Sequence, residues 1–241
     1  MRTIFIADAH LNAPSDTNYQ LLLQFLDQLC GTVDTLVIVG DLFDFWVGLP
    51  GMPSPEYRPV IDSLKRLTES GARPVYFEGN HDFQLGRVFR DDLRAEVHEG
   101  PAILELQGQR ILVCHGDQIN PHDHGYRRLR SLLRSLPVRL LISICPAPLA
   151  LAVKARLQRH SRSRYGIKQE RWNYREIIMN FSHQQHHSGI RGMVCGHFHL
   201  PFIEQHQSPP FTTLSLGDWI TGFSYGEMTA GQLSLHSYRP S

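Results

Sequence analysis

The sequence predicts a single α/β domain built on buried, mostly parallel strands, and two patterns lead to this prediction. Short apolar runs recur along the chain, each ends in a polar cluster, and amphipathic segments separate the first three runs. Continuous apolar character over a few residues is typical of strands buried on both faces. Strands that alternate with helices are typical of parallel β-α-β units. A chain of 241 residues, 41% hydrophobic and 20% charged, is long enough for one substantial core.

The individual elements follow from these runs in chain order. We expect strands at residues 3–7, 35–39, 73–77, 110–114 and 192–195. Two helices are predicted by apolar residues that recur at helical spacing. Their stripes are Leu22, Phe25, Leu26 and Leu29 within residues 18–29, and Val60, Ile61, Leu64 and Leu67 within residues 59–68. The tail, residues 201–238, has shorter strand-like pieces at 212–216 and 232–236 and is predicted to be an antiparallel meander.

Residues 121–185 do not continue the alternation of strands and helices. They predict a helical, basic insertion, or cap, within the one domain of residues 1–241. Residues 127–175 contain thirteen Lys or Arg and a single acid, Glu170, although the formal net charge of the whole chain is only +1. Such an asymmetry indicates an anionic partner for the cap: a membrane surface, a phosphate-bearing substrate or nucleic acid.

The apolar segments predict no membrane span. Residues 140–153 are uncharged, but Pro146 and Pro148 interrupt them, so they are too short and too broken to cross a bilayer. Either they pack as a helical hairpin, or their apolar face binds an acyl chain or a membrane surface. The start of the chain lacks the apolar region of a signal peptide, and the four cysteines form no CxxC pair. We therefore expect free thiols and a cytoplasmic location.

Residue types that bind metals follow five of the predicted strands, at the point where each strand ends. They are Asp8 and His10, then Asp41, then Asn80 with His81 and Asp82, then His115, and finally His197 and His199. Since sites in open α/β sheets form outside the carboxyl ends of the strands, these side chains should converge. A single Asp after a strand is usually a helix cap or a turn former, so the prediction depends on the joint pattern. Asp44 and Asp117 are interpreted as structural residues or as supports for the ligands.

The residue types also indicate the chemistry. Carboxylates, imidazoles and an amide oxygen, without thiolates, suit divalent ions such as Mn²⁺, Fe²⁺, Mg²⁺ or Zn²⁺. The predicted ligands are Asp8, His10, Asp41, Asn80, His115, His197 and His199. If one carboxylate bridges, these residues give four protein contacts to each of two ions. Two ions about 3.5–4 Å apart lower the pKa of a shared water and clamp a phosphoryl oxygen, so the sequence predicts a two-metal phosphoesterase.

The motifs DxH, GDxxD, GNHD, HG and GHxH occur in that order between Asp8 and His199, and through them the chain resembles the calcineurin-like metallophosphoesterases. This resemblance implies a four-layer α-β-β-α sandwich with a helical cap insertion. It also implies two divalent ions, with Mn²⁺ expected first and Fe²⁺, Mg²⁺ or Zn²⁺ as alternatives. Hydrolysis would proceed without a covalent enzyme intermediate.

The resemblance further implies a role for each matched residue. One ion would be bound by Asp8, His10, Asp41 and His199, and the other by Asp41 as the bridge, Asn80, His115 and His197. His81 would lie beside the phosphate and either stabilise charge or protonate the leaving group, and Asp82 would orient His81.

Within that superfamily, the chain is most similar to the UDP-2,3-diacylglucosamine pyrophosphohydrolases of lipid A biosynthesis. The similarity extends over TIFIADAHL, GDLFDFWVG, GNHDFQLGRVF and HGDQI followed by DHGYRRLR. It implies cleavage of UDP-2,3-diacylglucosamine to UMP and 2,3-diacylglucosamine 1-phosphate, with Asp123, Ser161 and Lys168 contacting this anionic, acylated substrate. The apolar part of the cap would bind acyl chains or touch the inner membrane. The chain departs from that branch at His81, where an Arg is expected, and at Tyr165, where an Asn is expected.

Other functions remain open at this point. A related phosphodiesterase or phosphomonoesterase could use the same ligands on another nucleotide or lipid phosphate. A nuclease ranks lower, since the cap mixes its arginines with aliphatic residues and contributes few aromatics for base stacking. A non-catalytic interaction module usually has eroded ligands, and here every motif is intact.

Overall fold

Two β-sheets lie face to face in the computed structural model, which describes residues 1–48, 53–86, 88–144, 172–186 and 189–239. The strands are β1 (Arg2–Ile6), β2 (Thr35–Ile38), β3 (Trp46–Val47), β4 (Arg73–Phe77), β5 (Asp82–Phe83), β6 (Glu96–His98), β7 (Ala102–Leu106), β8 (Gln109–Cys114), β9 (Gly192–Cys195), β10 (Phe202–Gln207), β11 (Pro210–Ser215), β12 (Ser224–Thr229) and β13 (Gln232–Ser237). The first sheet has the order β13-β12-β1-β2-β4-β6 and the second β10-β11-β9-β8-β7. The short strands β3 and β5 pair separately.

Each sheet has a parallel centre and antiparallel edges. In the first sheet β1, β2, β4 and β6 are parallel, whereas β12 and β13 form an antiparallel hairpin beside β1. In the second sheet β8, β9 and β11 are parallel, and β7 and β10 pair antiparallel at the two edges. The parallel centres bring the carboxyl ends of the strands to the same side of the sandwich.

Five helices are described alongside the sheets. They are α1 (Thr17–Leu29), α2 (Arg58–Glu69), α3 (His124–Leu133), α4 (Leu136–Ser143) and α5 (Tyr174–Gln185), with a 3₁₀ turn at Pro55–Tyr57 and a π-helical turn at Val88–Asp92. None of the helices in the described ranges is both long and apolar enough to cross a membrane.

Alternation along the strands produces four layers. Phe5 and Val37 point into the core between the two sheets, whereas their neighbours Ile4 and Leu36 point outward against α1 and α2. In the second sheet, Val113 faces the core between the sheets, whereas its neighbours Leu112 and Cys114 face the opposite side, where they pack in one apolar cluster with residues of α5. The order helix, sheet, sheet, helix is the predicted α-β-β-α sandwich, which is therefore confirmed.

The predicted strands and helices are present, with ends shifted by a residue or two. The prediction of one antiparallel meander for the tail is wrong, because β10–β11 joins the second sheet and β12–β13 joins the first. The thiols of Cys30, Cys114 and Cys195 are free, as expected, and Cys145 lies outside the described residues. The predicted cap contains α3 and α4, its residues 145–171 lie outside the described ranges, and α5 at its end forms the fourth layer. The insertion at 121–185 stays a prediction.

Truncation of a core residue on α1 tests the helix–sheet layer. Leu26 is fully buried against the first sheet, whereas Gln24 on the same helix is exposed. Leu26→Ala should lower the free energy of unfolding by about 2–5 kcal/mol, because it removes apolar burial and leaves a cavity. Gln24→Ala should change it by less than about 0.5 kcal/mol. Urea unfolding followed by circular dichroism measures both values, and equal effects would contradict the layer assignment.

Candidate metal centre

The predicted ligands meet at the edge of the sandwich where the carboxyl ends of β1, β2, β4, β8 and β9 lie. Their side chains form two clusters in which the ligand atoms lie within 4.8 Å of one another. One cluster is Asp8, His10 and His199, and the other is Asp41, His115 and His197. Asn80 joins the second cluster through its Oδ1, which is 3.1 Å from His115 Nε2. The structure therefore brings together all seven residues that the sequence singles out.

The first cluster surrounds one oxygen of Asp8. Asp8 Oδ1 is 3.5 Å from His199 Nε2 and 3.9 Å from His10 Nε2. It is buried and accepts no hydrogen bond within the described residues, while Asp8 Oδ2 accepts one from the backbone N–H of His197 at 2.7 Å. A buried carboxylate oxygen that accepts no hydrogen bond is costly unless positive charge lies beside it, and either a metal ion or a protonated His199 provides that charge here. This arrangement fits a metal ion.

The second cluster surrounds the imidazole of His115. The Nδ1 of this ring is 2.8 Å from the carbonyl oxygen of Val39, so Nδ1 carries the proton that it donates. The other nitrogen, Nε2, then has a lone pair available for a metal in the neutral ring. Nε2 is 3.5 Å from Asp41 Oδ2 and 3.1 Å from Asn80 Oδ1. Carboxylate, amide and imidazole atoms thus converge from three different strand ends.

Asp41 connects the two clusters. Its Oδ2 lies 3.8 Å from His10 Nε2 of the first cluster and 3.5 Å from His115 Nε2 of the second. Its Oδ1 accepts a hydrogen bond from the backbone N–H of His81 at 2.8 Å, which fixes the orientation of the carboxylate. One carboxylate oxygen between two sets of imidazoles is the arrangement that a bridging ligand requires.

Backbone strain is concentrated at the site. Five of the seven residues have positive φ angles, a conformation that L-residues with side chains rarely adopt. The angles are 52° at Asp8, 44° at His10, 52° at Asp41, 70° at His197 and 52° at His199. Such conformations cost about 1–3 kcal/mol each and persist where the surrounding structure imposes them. The strand ends are thus held in unfavourable geometry, and that geometry presents their side chains to the clusters.

Glycines permit the close approach of these strand ends. A Cβ atom at Gly79 would lie 2.0 Å from Asp41 Oδ1, and one at Gly196 would lie 2.6 Å from Asp8 Oδ2. Any side chain at either position would displace a carboxylate of the site. The glycines of the GNHD and GHxH motifs are therefore required by the space around Asp41 and Asp8.

Burial and mutual attraction set the protonation of the ligands. Burial lowers the pKa of His10 and of His197 to about 4, against the attraction of the nearby carboxylates, so both rings are neutral at pH 7. Burial by itself raises the pKa of Asp8 and Asp41, but the surrounding imidazoles outweigh it and hold both pKa values below their usual range. Burial by itself also lowers the pKa of His115 and of His199, but Asp41 and Asp8 outweigh it and raise both pKa values above the ordinary one. Neutral imidazoles and ionised carboxylates are the forms that bind metal ions, so a bound ion would displace a proton from these two rings.

The expected role of Asp82 needs correction. Within the described residues its carboxylate makes no hydrogen bond to the ring of His81. Asp82 instead accepts from the backbone N–H groups of Asp41 (2.9 Å), Phe43 (3.2 Å) and Gly79 (3.0 Å) and from the Tyr76 hydroxyl (2.6 Å). Asp82 therefore holds together the two loops that carry Asp41 and Asn80.

The ring of His81 is oriented by a backbone group. Its Nδ1 lies 2.9 Å from the carbonyl oxygen of Asp44, so Nδ1 donates that hydrogen bond and Nε2 is left for other contacts. The ring is in edge contact with His10, at a centroid distance of 4.7 Å. His81 thus lies beside the first cluster, and Asp44 orients its ring through the main chain. The side chains of His10, Asp44 and His81 also lie close enough together to hold an ion, so a supporting role for the Asp44 carboxylate stays a prediction.

One residue of the site was missed. Asp218 Oδ2 is 3.9 Å from Nδ1 of His199, and Asp218 Oδ1 accepts from the backbone N–H groups of Ile220 and Thr221. Asp218 therefore supports the ring of His199 from the side opposite Asp8. A signal was present in the sequence, because Gly217-Asp218 follows the apolar run at 212–216 as Gly40-Asp41 follows β2.

Arg130 of α3 and Arg134, the C-cap of that helix, contact the loops that carry the second cluster. Arg130 Nε donates to Asp117 Oδ2 at 2.9 Å, and that oxygen also accepts from the Tyr126 hydroxyl at 2.5 Å. One turn further along, Arg134 binds the buried Glu78 and donates to the carbonyl oxygen of Gly79 at 3.2 Å. Asp117 follows His115 closely, and Gly79 precedes Asn80. Asp117 therefore supports the loop after His115, in keeping with the role considered for it, and α3 is tied to the loops that carry two of the predicted ligands.

The three residues expected to contact substrate stay predictions. Asp123 is the N-cap of α3, and its side chain accepts from the backbone N–H of Tyr126 at 3.1 Å. Ser161 and Lys168 lie outside the described residues, as does Tyr165.

Two cation-binding clusters that share a carboxylate are a means by which proteins clamp and hydrolyse phosphoesters, so the class of protein is a metal-dependent phosphohydrolase. The profile of the calcineurin-like phosphoesterases matches residues 1–201, and the chain belongs to that family. The family implies divalent metal ions and a phosphoester substrate, and the two clusters provide the residues for such ions.

Particular relatives extend over nearly the whole chain. The UDP-2,3-diacylglucosamine hydrolase of Stenotrophomonas maltophilia is 33% identical over 229 residues, which is 91% of each chain. The protein of the same name from Yersinia pestis is 30% identical over 243 residues, or 99% of each chain. The solved structure of an archaeal phosphodiesterase has a TM-score of 0.52 at 13% identity, covering 99% of this chain and 100% of the other, and shows a likeness of fold.

The buried contact between α3 and the site can be tested against an exposed one. The side chains of Arg134 and Glu78 are 11% and 2% exposed, whereas those of Arg139 and Glu99, paired at 3.2 Å, are 38% and 44% exposed. Arg134→Gln should lower the free energy of unfolding by about 3–5 kcal/mol, because it leaves the carboxylate of Glu78 buried and unpaired.

The matched control, Arg139→Gln, should cost less than about 1 kcal/mol, because water screens the exposed pair. Urea unfolding of both variants gives the comparison. Similar losses in the two variants would show that Arg134 is not anchored through a buried ion pair.

Proposed function

We propose that the chain hydrolyses UDP-2,3-diacylglucosamine to UMP and 2,3-diacylglucosamine 1-phosphate, a reaction of lipid A biosynthesis. The observation that carries the chemistry is the position of Asp41 Oδ2 between His10 and His115, at 3.8 and 3.5 Å. The substrate is supported by the full-length relatives that bear the name of this hydrolase.

The site would hold two divalent ions, with Mn²⁺ as the first expectation and Fe²⁺, Mg²⁺ or Zn²⁺ as alternatives. Asp8, His10, Asp41 and His199 would bind one ion, and Asp41, Asn80, His115 and His197 the other. The ions would supply a water of lowered pKa and positive charge for the phosphoryl oxygens. The orphaned Asp8 Oδ1 and the neutral rings of His10 and His197 support this assignment.

His81 is placed to act on the phosphoryl group or the leaving group. Because its Nδ1 donates to the carbonyl of Asp44, its Nε2 is the nitrogen that can meet a phosphoryl oxygen or donate a proton to the departing one. Asp82 acts on catalysis through its hold on the loops of Asp41 and Asn80, as a positioning residue. Asp123, Ser161 and Lys168 would contact the substrate from the cap.

The cap would bind the acylated part of the substrate. Leu136, Leu140, Leu141 and Ile144 of α4 and its C-cap are 62–76% exposed, and Arg127 and Arg128 are exposed on α3. Large apolar side chains that face solvent beside basic ones suit an acyl chain with an anionic head, or the surface of an anionic membrane. We infer a cytoplasmic protein that touches the inner membrane peripherally.

A second candidate is a related phosphodiesterase or phosphomonoesterase that acts on another nucleotide or lipid phosphate. The observation that favours it is His81, which stands where the lipid A branch is expected to carry an Arg. Phosphorus NMR of the Mn²⁺-loaded protein with UDP-2,3-diacylglucosamine, and in parallel with bis-p-nitrophenyl phosphate, separates the two. UMP released much faster than the generic ester is cleaved supports the first candidate, and cleavage of the generic ester alone supports the second.

Removal of the bridging carboxylate tests the two-metal assignment. Asp41→Ala should reduce kcat on bis-p-nitrophenyl phosphate more than about a hundredfold, since loss of residues that merely support metal ligands already costs 10–100-fold. Asp62→Ala, at an exposed position on α2, serves as the matched control and should leave kcat unchanged. Near-normal turnover by the Asp41 variant would rule out a shared bridge.

The cap proposal predicts an effect that depends on the acyl chains. The paired substitution Leu140→Ser and Leu141→Ser should raise KM for UDP-2,3-diacylglucosamine several-fold, because the apolar contact area is lost. Hydrolysis of bis-p-nitrophenyl phosphate should not change. Ile203→Ser, at an exposed apolar residue on β10, is the control. An equal effect of the paired substitution on both substrates would show that α4 does not bind acyl chains.

A further inference from the structure

Three histidines meet where the last turn of α5 contacts β10. His183 and His186 lie three residues apart at the end of α5, and His206 lies on β10. The ring centroids are 5.2 Å apart for His183 and His186 and 5.1 Å apart for each of the other two pairs. The nitrogens His183 Nε2 and His206 Nε2 are 3.3 Å apart. Three imidazoles are thus in mutual contact.

This histidine cluster is separate from the catalytic site. His206 pairs with Phe211 across the β10–β11 hairpin, and the ring of His186 packs on Phe211 at 4.3 Å. The next residue of β11, Thr212, pairs with the first residue of β9. The metal ligands His197 and His199 follow the last residue of β9. The histidine cluster therefore lies near the start of β9, and the metal centre lies beyond the end of β9.

The ring spacing of the histidine cluster matches that of the metal centre. Within that centre the ring centroids of His115 and His197 are 5.1 Å apart, and those of His10 and His199 are 5.4 Å apart. Imidazole nitrogens bind one transition ion at about 2.0–2.1 Å, which brings the bound nitrogens to within about 3–4 Å of each other. The distance of 3.3 Å between the two Nε2 atoms agrees with this value.

We propose that His183, His186 and His206 form an additional divalent transition-metal site. His183 and His206 already present converging nitrogens, and rotation of the His186 ring about its Cβ–Cγ bond supplies the third ligand. Because all three donors are imidazole nitrogens, the site selects Zn²⁺, Ni²⁺ or Cu²⁺ over Mg²⁺ and Ca²⁺, which bind oxygen. Three protein ligands leave a fourth position for water.

A bound ion would join α5 to the edge of the second sheet. His183 lies on α5, His186 is the C-cap of that helix and His206 lies on β10, so the ion would cross-link two elements that are separated in the chain by β9. A ligand that binds the folded state and not the unfolded state stabilises the fold in proportion to the logarithm of its concentration. Binding of an ion to the three histidines should therefore raise the unfolding temperature, and this effect should not depend on the residues of the metal centre.

The test compares histidines at equivalent places. His206 and His236 are each the second-last residue of an edge strand, β10 in the second sheet and β13 in the first. Wild type, His206→Gln, His183→Gln, His186→Gln and the control His236→Gln are dialysed against Zn²⁺, and the metal per chain is counted by mass spectrometry. The same variants loaded with Cu²⁺ are examined by electron paramagnetic resonance for nitrogen hyperfine structure.

Wild type and His236→Gln should each bind one equivalent of Zn²⁺ more than His206→Gln and His183→Gln, and His186→Gln should bind that equivalent more weakly. The variants that lose this equivalent of Zn²⁺ should also lose the part of the rise in unfolding temperature that it causes. Hydrolysis of bis-p-nitrophenyl phosphate should be equal in all five proteins, which shows that the catalytic centre is intact. Equal metal content in wild type and His206→Gln, or unchanged affinity in His186→Gln, would overturn the three-histidine site.

Discussion

Two buried carboxylates at neighbouring strand ends impose the constraint on which the rest of the site depends. Asp8 and Asp41 follow the paired parallel strands β1 and β2, and both are almost fully buried. Burying two like charges side by side is costly unless each is compensated. Backbone N–H groups of His197 and His81 donate to one oxygen of each carboxylate, and the imidazoles face the other oxygens. The remaining negative charge is what makes this edge of the sandwich a place for cations.

Much of the fold and the centre could be predicted from the sequence, because both depend on local order along the chain. Each buried strand is a continuous apolar run, and each run delivers its polar residue directly after its last position. What could not be predicted depends on contacts across the fold. Because His81 and Asp82 are adjacent in the chain, contact between their side chains was expected. The Asp82 carboxylate is buried instead, and it accepts hydrogen bonds from the Tyr76 hydroxyl and three backbone N–H groups. The strands of the tail have similar sequence patterns, so the pattern does not show that β10 and β11 join one sheet and β12 and β13 the other.

The charge asymmetry of the chain has a partly internal explanation. Several arginines of the basic segment are paired with acids of the sandwich: Arg130 with Asp117, Arg134 with Glu78, and Arg139 with Glu99. Within the described residues, acids of the sandwich thus neutralise part of the positive charge of residues 127–175. The exposed Arg127 and Arg128 of α3 remain available to an anionic substrate or surface.

The contacts of Arg130 and Arg134 fix the position of α3 beside the site. Arg130 and Arg134 are one turn apart and bind the loops that carry His115 and Asn80. If α3 moved outward, the carboxylates of Asp117 and Glu78 would stay buried without their arginine partners. Because this is costly, the helix should keep its position. A movement of α4 about the junction at Ser135, between the end of α3 and the start of α4, would leave both of these arginine contacts unchanged. The loops that carry His115 and Asn80 would then keep their positions whatever α4 does.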